Sequence, residues 1–223
     1  QNGNATHGGG IIIWESDGQL NNLIIKNNLS NSTQGGGAMY ISDFNGEINN
    51  CSFLDNSADY KTSGILVLDS DLYINNSVFK RNYQANYFDG FVIKSENTTL
   101  TLNNVLLDSN SCPYGYSYAI YLEEDNSNPQ YVRSIKLINF TAINTLLGGS
   151  SYSSMVGGVI NISDQMGLLD IEINNSLIAN NSGQAITLTG KNPGNTSNQI
   201  GSSTNLNLIN STIANNTGRV YNS

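Results

Sequence analysis

One nine-residue phrase, written seven times, constrains this chain more than any other feature. The copies are LNNLIIKNN (20–28), INNCSFLDN (48–56), INNSVFKRN (74–82), LNNVLLDSN (102–110), LINFTAINT (137–145), INNSLIANN (173–181) and LINSTIANN (208–216). Position three is asparagine in every copy: Asn22, Asn50, Asn76, Asn104, Asn139, Asn175 and Asn210. Position nine is Asn28, Asn56, Asn82, Asn110, Asn181 and Asn216, with Thr145 in the fifth copy. Position one is always Leu or Ile, and position six is always apolar. Successive copies begin 28, 26, 28, 35, 36 and 35 residues apart. A period of this size marks an architecture in which each unit buries its apolar face only against its neighbours.

Between the copies lies a second element, led by small residues and rich in β-branched and aromatic ones: GGAMYIS (36–42), GILVLD (64–69), GFVIKS (90–95), YAIYLE (118–123), GGVINIS (157–163) and QAITLT (184–189). This composition favours strands. Alternation predicts one inward face of Met39/Ile41, Leu66/Leu68, Ile120/Leu122, Ile160/Ile162 and Ile186/Leu188. In 90–95 the same rule turns Lys94 inward, unless a bulge or a one-residue shift intervenes. No segment carries a long helical pattern. Three short strands within 26 to 36 residues amount to one coil of a parallel β-helix, each strand pairing with its counterpart one coil away, about 4.8 Å along the axis. The expectation is one all-β solenoid domain over 1–223, with about seven coils. Position three then sits at one bend and position nine at the next. Asparagine tolerates tight bends and can pass amide bonds from coil to coil.

Gly36-Gly37-Ala38-Met39, followed by Phe53-Leu54-Asp55-Asn56 and by Phe79-Lys80-Arg81-Asn82, resembles the repeats of chlamydial-type polymorphic outer membrane proteins. Gly157-Gly158-Val159-Ile160 is a looser form. The resemblance implies a right-handed parallel β-helix of the pectin-lyase-like class and a surface-exposed adhesive or structural role. Large extracellular proteins of protists share this coil.

Polarity here comes from amides and hydroxyls: 37 asparagines, 27 serines and 14 threonines, against 12% charged residues, about half the usual share. The net charge of -8 and the nine scattered basic residues make no patch for nucleic acid. No apolar run of 18 residues spans a membrane. Gln1 reads as a processed end or as the edge of a longer protein. Other β-helices of this class cleave acidic polysaccharides, but their clustered aspartate and Gly-His-Gly patterns are missing, and no catalytic residue is expected. The single histidine, His7, has no neighbours for a metal site or a triad. Acidic residues recur after the glycine-led strands: Glu15/Asp17, Asp43, Asp69/Asp71, Glu96, Glu124/Asp125 and Asp164. Stacked, they make a solvated stripe, with calcium the cation it would attract if it bound one.

Thirteen asparagines head Asn-x-Ser/Thr acceptor sequences. Those at Asn97 and Asn195, in long turns, and at Asn75 and Asn174, at position two, are the expected carriers of glycan. A ladder at position three would close Asn50, Asn139 and Asn210 to sugar. Cys51 and Cys112 fall at different repeat positions two units apart, roughly 10 Å in a stack, too far for a disulfide. Insertions at 111–117, 124–131, 146–156 and 190–204, the first rich in tyrosine, would project from a stiff rod. The function expected is an extracellular or cell-surface structural or adhesive rod that contacts other surface or matrix proteins or glycans; the alternatives are a carbohydrate-binding β-helix without catalysis and, after it, a polysaccharide lyase or hydrolase.

Overall fold

The computed structural model describes residues 4–5, 7–31, 35–85, 90–113, 117–124, 133–148, 157–164, 169–190 and 205–217. Every described element is a β-strand, and every strand pair is parallel. The strands form three sheets of 12, seven and six, curled into a solenoid-like arrangement.

The repeat alignment is reproduced residue by residue. Position six pairs Ile25 with Phe53, then Phe79, Leu107, Ala142, Ile178 and Ile213. Position one runs from Leu20 through Ile48, Ile74, Leu102, Leu137 and Ile173 to Leu208. Both columns enter one continuous apolar core, except at the last copy, where Leu208 and Ile213 are exposed. Phe53 and Phe79 lie flat on one another at 4.4 Å between centroids.

Each full unit contains four strand segments rather than three. The fourth is only two residues long and follows position nine, as in Leu29–Ser30, Ser57–Ala58, Tyr83–Gln84, Ser111–Cys112 and Leu146–Leu147. The glycine-led and leucine-rich segments belong to one 12-stranded sheet, because Ile11–Asn21 and Met39–Asn49 run through the corner between them unbroken.

Corners follow one rule: a residue in the left-handed region, then a residue facing inward. The first corner uses Glu15, Asp43, Asp69 and Asn97, the second all seven position-three asparagines, and the third every position-eight residue, from Asn27 to Asn215. After glycine, asparagine and aspartate enter this region at the least cost. The inward residue after the corner has a main-chain N–H to satisfy. The next unit supplies a side-chain oxygen: Phe44 N–H donates to Ser70 Oγ at 3.1 Å, Cys51 N–H to Ser77 Oγ at 3.1 Å, and Asn28 N–H to Asn56 Oδ1 at 3.1 Å. A buried main-chain donor demands such a partner.

Two departures from the alternation rule have visible causes. Met39 pairs with Ile65 and Ile41 with Val67, so Ile65 and Val67 enter the core, while Leu66 and Leu68 face outward. A register shift between Phe91 and Ile93 places Ile93 in the core and pairs Lys94 with Leu66 and Tyr121 on the outer face. At the first corner, Phe44 occupies space used by Leu72 one unit later. A Cβ on Gly46, the partner of Leu72, would lie 2.3 Å from the Phe44 ring.

Candidate functional site

The position-nine asparagines form a buried stack. Asn28 Nδ2 donates to Asn56 Oδ1 at 3.0 Å, Asn56 Nδ2 to Asn82 Oδ1 at 3.1 Å, and Asn82 Nδ2 to Asn110 Oδ1 at 3.0 Å. Each receiving oxygen also accepts the main-chain N–H of the preceding asparagine. The second amide hydrogen reaches back to the carbonyl of position six: Ile25, Phe53 and Phe79, at 2.9–3.0 Å. Thr145 interrupts the chain of bonds. It resumes as Thr145 N–H to Asn181 Oδ1 at 3.0 Å and Asn181 Nδ2 to Asn216 Oδ1 at 2.9 Å.

The position-three asparagines are placed differently. Asn22, Asn50, Asn76, Asn104, Asn139, Asn175 and Asn210 are all exposed. Only one lateral amide bond joins two of them, from Asn104 Nδ2 to Asn76 Oδ1 at 2.8 Å. The expected closure of Asn50, Asn139 and Asn210 by ladder packing therefore does not hold. The physical reason is that position three is itself the left-handed residue, whose side chain leaves the turn, whereas position nine follows one. A shorter outer row does form at position two, where Asn75 Nδ2 donates to Asn49 Oδ1 and Asn49 Nδ2 to Asn21 Oδ1, at 2.9 and 3.0 Å.

Of the other acceptor asparagines, Asn97 is half-buried at a left-handed corner. Asn174 is half-buried, with Nδ2 3.4 Å from Glu172 Oε1. Asn195 lies outside the described residues.

The acidic stripe resolves into an exposed column of Glu15, Asp43 and Asp69, followed in the same column by Asn97. Among the described residues no three carboxylate, thiol or imidazole groups come together as a metal site. Asp125 lies outside them, as do most of the insertions. His7 sits edge-on to Tyr40 at 5.5 Å. Cys51 and Cys112 are free and buried. Burial pushes the Cys112 thiol up to about 12, which removes the thiolate needed for reactivity.

One constellation was not legible in the sequence. Lys94 is 6% exposed on the outer face. It pairs with Glu96 and, at 3.2 Å, with Glu123, and its ammonium lies 5.5 Å from the Tyr121 ring centre and 5.8 Å from that of Phe91. Glu96 and Glu123 are direct register partners on adjacent strands. Burial acts to raise Glu96, but the hydrogen bond and charge of Lys94 outweigh it and hold this carboxyl below its usual range. Burial holds Glu123 above that range, against the pull of Lys94. Phe91, Tyr118 and Tyr121 stack on one another at 4.7–6.3 Å. Finding this group required the strand register across the bulge, which the sequence alone leaves ambiguous. Its rings pair among themselves, and its lysine is neutralised by carboxylates: this is the chemistry of an internal clamp. No family model, curated protein or solved structure matches the chain.

Proposed function

We propose that this chain is about seven coils of a right-handed parallel β-helix of the pectin-lyase-like class, part of a larger extracellular or cell-surface protein. It acts as a stiff spacer, structural or adhesive, that holds loops out for contacts with surface or matrix proteins or glycans. It is not assigned a reaction or a resident cofactor. The observation that supports this reading is that the second and third corners keep a left-handed residue in all seven repeats, with the buried amide stack tying units together on either side of Thr145, because such ties along the axis resist bending and slippage between units. The resemblance to polymorphic outer membrane repeats adds a surface setting, on short motifs alone.

The test is antibody labelling of intact source cells with a serum raised against this chain. Labelling before permeabilisation is expected; labelling only afterwards contradicts the reading. A second reading, carbohydrate binding without catalysis, draws on Trp14, 60% exposed and next to the acidic corner of Glu15 and Asp43. An indole can stack on a sugar ring while the carboxylates beside it accept hydrogen bonds from the sugar hydroxyls. Screening of the purified chain against immobilised glycans checks it: Trp14→Ala should weaken any retained glycan at least tenfold, and unchanged retention removes Trp14 from the account.

A further inference from the structure

We propose that Asn50, Asn139 and Asn210 are attachment sites for N-linked glycans, one sugar-bearing column along the second corner of the solenoid. The inference rests on the extracellular reading for its biological setting, but its geometry is independent of that reading.

Three conditions separate these residues from most of the other acceptor sequences; Asn180, exposed at a left-handed corner and engaged only through its Oδ1, shares them. The first is exposure, which all three have at left-handed corners. Asn28 and Asn161 are buried and fail it. The second is a free amide nitrogen. Among the described residues, none makes a hydrogen bond to the side chains of Asn50, Asn139 or Asn210. By contrast, Asn28 Nδ2 is held by Asn56, Asn75 Nδ2 by Asn49 and Asn215 Nδ2 by Asn180. The third is direction. The side chain leaves the turn at a position where the following residue, Cys51, Phe140 or Ser211, occupies the inward place, so a glycan meets solvent rather than a strand. The hydroxyl residues Ser52, Thr141 and Thr212 begin the next strands and lie at least partly at the surface.

The chemistry is transfer from a polyprenyl-diphosphate-linked oligosaccharide. The amide nitrogen bonds to the anomeric carbon, the bond from that carbon to the diphosphate oxygen breaks, and the amide proton passes to the transferase's base. Stacking at about 4.8 Å per unit spaces the three sites by roughly three units and then two, leaving room for separate glycans.

The experiment is secretion of this chain from a eukaryotic host, followed by enzymatic deglycosylation in heavy-oxygen water and peptide mass mapping. Label is expected at Asn50, Asn139 and Asn210 and absent at Asn28 and Asn161 in the secreted, folded protein. The variant Ser52→Ala/Thr141→Ala/Thr212→Ala keeps the corner asparagines and should lose three glycans' mass while secretion persists. Empty corners, or sugar on Asn28 or Asn161, overturn the assignment. Occupied corners from the host together with bare corners in native material support the sites and overturn the extracellular reading instead.

Discussion

The two asparagine columns use the same residue, in the same repeats, for opposite purposes. At position three the side chain is exposed and what matters is the backbone: all seven residues hold φ between 47° and 59°, a region that costs most residues about 1–2 kcal/mol. At position nine the backbone could suit many residues, and what matters is the amide, which is buried and donates along the stack and back to the core strand. A repeated residue therefore does not imply a repeated role. What decides is whether it is the left-handed residue or the one after it.

The largest effect should follow from cutting the buried column. Asn82→Ala leaves the Asn56 N–H and Nδ2, the Phe53 carbonyl and the Asn110 oxygen without this partner. At about 1–3 kcal/mol per orphaned buried group, partly relieved by water, the loss should be about 3 kcal/mol or more, read as a fall in the urea midpoint. The exposed column should respond less. Asn76→Ala loses only left-handed tolerance and one exposed amide bond, a cost of about 1 kcal/mol; Asn76→Gly should cost almost nothing. Equal losses for Asn82→Ala and Asn76→Ala would erase the distinction between the columns. Repair should be visible too. Thr145→Asn bridges Asn110 to Asn181 and should raise stability by up to about 1 kcal/mol, whereas Thr145→Ala should not.

Acid should give the smallest effect, because neither column titrates. Asp108 is held below its usual range chiefly by the hydrogen bond from Lys80, and Asp55 by that from Arg81. Their folded values lie below the unfolded ones, so their contribution is complete above the ordinary carboxylate range and fades as pH falls through the folded values. The Asp55–Arg81 pair is largely exposed and adds little. The contribution of these two carboxylates to the urea midpoint should therefore fade only below about pH 4, and Asp108→Asn should flatten that decline.

Much of the fold was legible because the period, the apolar positions one and six and the asparagine columns repeat with the units themselves. The misreadings occurred where local pattern carries no register. In GILVLD every residue from Gly64 to Val67 is buried or nearly so, and both faces are covered near Leu66, so alternation gives no sign of which set is inward. For Lys94 the alternation rule and a bulge lead to opposite faces, and the shift between Phe91 and Ile93 decides for the outer one. The two-residue fourth segments are too short to show a period. The exposure of position three was invisible for a different reason: asparagine marks both a left-handed corner and a stacked amide, and sequence spacing cannot tell a residue from its successor.

The central claim is that side-chain oxygens of position nine replace strand partners for main-chain donors. Amide hydrogen exchange at Asn56 tests it most directly, since its N–H donates to Asn82 Oδ1 at 3.1 Å and to no strand carbonyl. The account predicts that this amide exchanges as slowly as those of the core strand Val78–Lys80, and that Asn82→Ala releases Asn56 while those strand amides stay protected. Exchange of Asn56 at the rate of an open chain in the unaltered protein would contradict it.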